Sequence, residues 1–152
     1  MIQRRQSLYL LIVFVLTVLL FTGPLAFINL EEGGIYFKHH CAFDLSGEKL
    51  EMSSWPVTAM LAISAVLSFL TIFSYMNRPR QMRLTIFLMI FNLGLVGLAY
   101  YYVSYIMHNF DGVQFVFQWR IVIPPIMLVL LILAFKGIQK DELLVKAADR
   151  IR

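Results

Sequence analysis

The residue types best suited to chemistry sit close together in one polar segment. His39, His40 and Cys41 are consecutive, and His108 lies in a second polar segment much later in the chain. Imidazole and thiolate are ligands for zinc or copper, so the four residues are a candidate metal site if the two segments meet in space. Geometry argues against it. Neighbouring residues of an extended chain point to opposite faces, so His39 and His40 converge on one ion only where the backbone bends. Cys41 is the single cysteine, so it forms no internal disulfide and provides no zinc-type spacing. A polar loop surface is the plainer reading, and no metal or cofactor is expected.

The carboxylates lead to a similar result. Glu31, Glu32, Asp44, Glu48 and Glu51 crowd the same segment, where two of them could act as an acid and base pair. None lies inside an apolar run that would desolvate it and move its pKa to a catalytically useful value. The chain also lacks a glycine-rich phosphate loop, a nucleophile elbow and a His-Glu metal helix. No catalytic, cofactor-binding or metal residue is assigned, and the chain reads as a non-enzyme.

The elements that carry these residues are decided by hydrophobicity. Of the 152 residues, 60% are hydrophobic and 14% charged, with a mean hydropathy of +0.76. Soluble domains average about 25% charged residues. Lipid is the solvent that this balance implies. Apolar runs at 8–27, 57–76, 84–107 and 118–136 each approach the roughly 20 residues needed to cross a bilayer. The fold class is an all-α membrane protein, a four-transmembrane-helix bundle forming a single integral membrane domain over 1–152.

The first run follows Arg4 and Arg5 as in a signal peptide, but it is longer than a signal core. Gly23-Pro24-Leu25-Ala26-Phe27 offers no small-x-small cleavage site, so the run is read as a retained helix. Trp55-Pro56 opens the second helix, with proline where no backbone donor is needed. Asn77-Arg78-Pro79-Arg80 stops it. Tyr100, Tyr101, Tyr102 and Tyr105 close the third with an aromatic belt, and Phe135-Lys136-Gly137 closes the fourth. The start of the fourth is open to two readings, because Val113, Phe115, Phe117, Trp119, Ile121 and Ile123 alternate with Gln114, Gln118 and Arg120. Either a helix kinks at Pro124-Pro125, or a short strand leads into a helix whose first turn holds both prolines. A helix from Pro124 to Phe135 would cover only about 18 Å of a roughly 30 Å hydrocarbon core, which favours a start near Gln118.

Lysine and arginine set the orientation. Arg4 and Arg5, then Arg78, Arg80 and Arg83, then Lys136, Lys140, Lys146, Arg150 and Arg152 mark the cytoplasmic side. Both termini and the tail 137–152 belong there, and 28–55 and 108–117 form outer loops. These clusters account for the net charge of +4 without nucleic acid. In the first outer loop, Gly33-Gly34 and Ser46-Gly47 bracket Ile35-Tyr36-Phe37 and Cys41-Ala42-Phe43-Asp44-Leu45, the pattern of a β-hairpin. An extended 113–117 could widen it into a small sheet above the helices. That plan resembles the claudin-like arrangement in architecture alone.

Within the spans no Asp, Glu, Lys or His occupies a central position, so the sign of a proton relay or ion path is missing. Asn92, Gly94 and Gly97 mark a close helix contact, as do Ser64 and Ser68. Arg120 reads as an interfacial anchor. In the tail, Ile138, Leu143, Leu144, Ala147 and Ile151 recur at helical spacing among charges, predicting an amphipathic helix. Its stripe of Leu143, Leu144, Ala147 and Ile151, or the helix face around Asn92, Gly94 and Gly97, would meet the lipid bilayer or a membrane-protein partner.

Several segments together suggest a family. They are Met1-Ile2-Gln3-Arg4, Trp55-Pro56, Asn77-Arg78-Pro79-Arg80-Gln81-Met82-Arg83-Leu84 and the ending from Ile138-Gln139-Lys140-Asp141-Glu142 through Asp149-Arg150-Ile151-Arg152. Over essentially its whole length the chain resembles an uncharacterised family of small four-helix membrane proteins of the Bacteroidota. The tail is the most specific part of the match. The resemblance implies a multi-pass protein of the bacterial inner membrane, of unknown function and with no catalytic residues to carry over. The residues themselves favour an accessory or scaffold subunit of a membrane complex. A small lipid or hydrophobic-molecule binding or transport protein is the alternative, and a membrane enzyme comes third.

Overall fold

The computed structural model describes residues 3–30, 33–38, 41–44, 49–109, 114–116 and 118–150. Four helices, α1 (Gln3–Phe21), α2 (Trp55–Phe73), α3 (Arg78–Asn109) and α4 (Ile123–Arg150), pack in a ring in which each touches the next and α4 returns to α1. Of these, α2, α3 and α4 lie in stretches long and apolar enough to cross a membrane: Trp55–Met76, Arg78–Tyr105 and Trp119–Val145. The apolar part of α1, Gln6–Phe21, is shorter.

Five strands cap one end, β1 (Ala26–Leu30), β2 (Gly33–Phe37), β3 (Cys41–Asp44), β4 (Lys49–Ser53) and β5 (Gln114–Val116). Their spatial order is β4-β3-β2-β1-β5, all antiparallel. Ala26 pairs with Phe37 and Leu30 with Gly33, while Phe27 pairs with Val116. The register between β3 and β4 shifts between Cys41 and Phe43.

Helix boundaries depart from the sequence pattern at informative places. The first helix does not run over 8–27. It occupies 3–21 and stops because Gly23 precedes Pro24, whose ring disfavours helical backbone before it. The Thr22 hydroxyl donates to the Leu19 carbonyl at 2.7 Å, and the apolar residues that follow are spent on β1. The third helix begins at Arg78 and not at 84, since Pro79 in its first turn gives up no bond. The fourth does not run over 118–136. A 3₁₀ turn covers Trp119–Val122 and regular helix runs from Ile123 to Arg150, straight through Gly137. The prolines explain its start. Pro124 and Pro125 have no N–H to offer the carbonyls four residues back, so the chain closes i to i+3 bonds instead, with Ile123 N–H reaching Arg120 O.

The bundle is apolar outside and mixed inside. Leu8, Leu11, Val15 and Val18 on α1, Val66 and Phe69 on α2, Ile90 and Leu93 on α3, and Val129 and Leu133 on α4 are all exposed. Water-soluble surfaces do not carry apolar patches of that extent. Buried between the helices are Leu10, Leu61, Leu88, Leu95, Met127 and Leu131 together with Thr17, Ser64, Ser68, Thr71, Thr85 and Asn92. Most of these hydroxyls return to their own helix. Thr17 donates to Val13 O at 2.8 Å, Thr71 to Leu67 O at 2.6 Å and Thr85 to Gln81 O at 2.8 Å. They therefore pack as small apolar groups.

Phe37 ties the sheet to the helices. Its ring is fully buried and lies 5.5 Å from that of Tyr102 on α3. Around it, Leu25 N–H donates to Phe37 O at 2.7 Å and the Ser54 hydroxyl to Lys38 O at 3.1 Å.

Candidate functional site

Two places in the molecule are built for more than packing, one at each end of the bundle. At the sheet end, α3 runs on beyond the start of α4. Lower down they are pinned together where Asn92 Nδ2 donates to Pro124 O at 2.8 Å. Asn92 is buried, and because its partner is a carbonyl the amide orientation is fixed, leaving Oδ1 without a partner among the described residues. Above this pin the 3₁₀ turn and the flat proline rings do not fill the space that a regular helix would. The result is a groove of about 410 Å³. Val96, Ala99, Tyr100, Val103 and Met107 line it from α3, at the three- and four-residue spacing of one helix face. Ile121, Pro124 and Pro125 line it from the other side. Apart from the Tyr100 hydroxyl, these side chains offer only hydrocarbon and a thioether. Such a site can hold an apolar body and has almost nothing with which to orient a polar one.

Arg120 stands beside the groove on the α1 side of α4. Its guanidinium occupies the space that a side chain at Gly23 would need, and it lies over the exposed Trp119 ring at 5.3 Å. The Arg120 Nε and Gln118 Oε1 atoms are buried without partners among the described residues.

At the opposite end is a polar clamp. Asp141 of α4 is 7% exposed; Gln6 Nε2 of α1 donates to its Oδ2 at 2.7 Å, and Arg78 Nη1 at the start of α3 donates to its backbone carbonyl at 3.0 Å. Gly137, one turn earlier, leaves room for Gln6. A Cβ there would lie 2.9 Å from Gln6 Cγ, which is why glycine sits inside this helix and does not end it. Gln81 Nε2 donates to Thr71 O at 3.3 Å and joins α3 to α2 at the same level. Three helices are thus held by one carboxylate and its own backbone.

The residues singled out from sequence are distributed unevenly. Asn92 and Gly94 face other helices, Asn92 against α4 and Gly94 against Met60 of α2, whose Cε lies 2.7 Å from an ideal Cβ. Both make contacts within the chain. Gly97 does not belong with them. It is exposed, and a Cβ there meets nothing within 4 Å. Ser64 and Ser68 are buried on α2, with the Ser64 hydroxyl without a partner among the described residues. Leu143, Leu144 and Ala147 are exposed on a helix that continues α4.

His39, His40, Glu31, Glu32, Glu48, Val113, Phe117 and Ile151 lie outside the described residues. Cys41 stands in β3, and His108 is exposed in the last turn of α3. No group of three metal-binding side chains forms among the described residues. Sequence reasoning missed Gln6, Phe37, Gly137 and Asp141. Gln6 and Asp141 are 135 positions apart, and no spacing rule links them; a glycine inside an otherwise uninterrupted helical pattern was the available signal for Gly137.

No curated protein and no solved structure matches the chain. A family model matches residues 2–151, nearly the entire sequence, and by it the chain belongs to the family described as "Domain of unknown function (DUF4293)".

Proposed function

We propose that the protein is a non-enzymatic accessory or scaffold subunit of a membrane protein complex, crossing the bacterial inner membrane four times with both termini in the cytoplasm. The clusters of arginine and lysine at the clamp end support that orientation, and α1, at about 28 Å for 19 residues, supports a fourth crossing. The observation that carries the proposal is the far part of α4. Beyond Asp141 the helix leaves the bundle and continues to Arg150, and Leu143, Leu144 and Val145 are 60%, 53% and 45% exposed. This segment continues α4 in one unbroken helix, which supports reading its apolar side chains as a docking surface for a partner. Burying two leucines there is worth about 3–6 kcal/mol at most, enough to retain a partner after ordering losses.

Mild-detergent purification from the native membrane tests it. A partner that co-purifies reproducibly with the wild type should be lost on replacing Leu143 and Leu144 by serine. Cysteine labelling at Gln139 and Ser46, in a Cys41→Ala background, should show that insertion is unchanged. The proposal is overturned if deleting 140–152 changes neither the co-purifying proteins nor any growth phenotype of gene loss.

A further inference from the structure

The groove between α3 and α4 occupies one depth of the bundle. On α3 it runs from Val96 to Met107, about 17 Å of helix axis. Its upper part is level with the exposed Tyr100, Tyr101 and Tyr105 on the same helix, residue types that settle at the headgroup level of a bilayer. Its lower part ends one turn above Asn92, near the middle of α3. The groove therefore lies in the half of the bundle on the sheet side, its lower part in the hydrocarbon of the leaflet on that side and its upper part at the tyrosine level.

We propose that this groove holds one acyl chain of a phospholipid from that leaflet. The inference goes beyond an accessory role and depends only on the chain crossing the membrane. The lining selects the occupant, since its one polar side-chain group is the Tyr100 hydroxyl. The groove is open to its surroundings through Tyr100, 76% exposed, and Met107, 43% exposed, so the phase that reaches it is lipid. An unfilled groove of this size would forfeit dispersion contacts along both walls, and its volume is within the roughly 300–1,000 Å³ of small-molecule sites. Arg120 stacks on Trp119 in the turn that carries Ile121 and packs over Gly23 on the α1 side of α4, so it does not read the occupant.

The test is photocrosslinking of the full-length protein in phosphatidylethanolamine and phosphatidylglycerol vesicles doped with a phospholipid carrying a diazirine in one tail. Labelling should concentrate on 96–107 relative to Val18, an exposed residue of α1 near the same end of the bundle. Ala99→Trp should lower groove labelling about tenfold with Val18 labelling unchanged; Val96→Phe is a second, smaller filler should the tryptophan variant misfold. Equal labelling at Val18 and the groove in the wild type, or labelling unaffected by either filler, overturns the proposal. Absence of labelling at both places overturns membrane crossing itself, a different failure from loss of groove preference alone.

Discussion

The two ends of the bundle solve the same problem by opposite means. At the clamp end, helices are joined by directional bonds, Gln6 and Arg78 to Asp141 and Gln81 to Thr71. At the sheet end, beyond the Asn92 to Pro124 bond, shape carries much of the described contact, with Phe37 set against Tyr102 and an apolar groove alongside. Directional bonds hold a helix to one position and rotation. Packing by shape tolerates sliding and exchange of the material between helices. The first kind suits a fixed exit for the α4 tail, and the second suits a surface that changes its contents.

Phe37 gives the largest expected effect. Phe37→Ala empties a fully buried ring site at the sheet end and should cost about 3–5 kcal/mol. Protease sensitivity within 26–53 should rise well before the helices melt, as followed by limited proteolysis against circular dichroism. If the whole molecule unfolds in one step, the two ends are a single cooperative unit and the contrast fails.

Asp141→Ala acts on the other end. It leaves the buried Gln6 amide without its acceptor and should cost about 1–3 kcal/mol. Asp141→Asn retains an oxygen for Gln6 Nε2 and should cost less. The measurement is thermal melting in detergent combined with protease access to 142–150. A variant as stable as wild type with an equally protected tail would show that the clamp holds nothing.

The smallest effects separate two glycines on one helix. Gly94→Leu must displace the Met60 thioether and should cost about 1–3 kcal/mol, tempered by the flexibility of methionine. Gly97→Leu adds a side chain into open space and should change stability by less than about 0.5 kcal/mol. Equal melting shifts for the pair would remove the assignment of Gly94 to the α2 contact.

Apolar length was the legible part of this molecule. Runs of hydrophobic residues located the long apolar helices because their composition alone reports the solvent around them. Ends were harder to read. The run after Phe21 stays apolar through Ile28, so hydrophobicity could not show that the chain leaves helix for strand there; Gly23-Pro24 was the signal, and conformational sterics decide it. Gly137 was misleading in the opposite sense, since a helix-ending residue type was used for close approach of Gln6. Asn92 and Gly94 were legible because polar or small residues in an apolar helix have few uses other than contact. The groove had no sequence signature at all. It arises from what Pro124 and Pro125 fail to do, and only the placement of α3 beside them makes a space.

α4 also has a mechanical consequence. It is one continuous helix whose proline end is bonded to Asn92 of α3 beside the groove and whose Asp141 is held by two other elements, so it can be treated as a beam that α3 moves about a pivot at Asp141. Eighteen residues separate Ile123 from Asp141 and nine separate Asp141 from Arg150, giving arms of about 27 Å and 13 Å. A sideways displacement of about 2 Å at the groove then reaches Arg150 as about 1 Å in the opposite direction, provided the beam stays rigid.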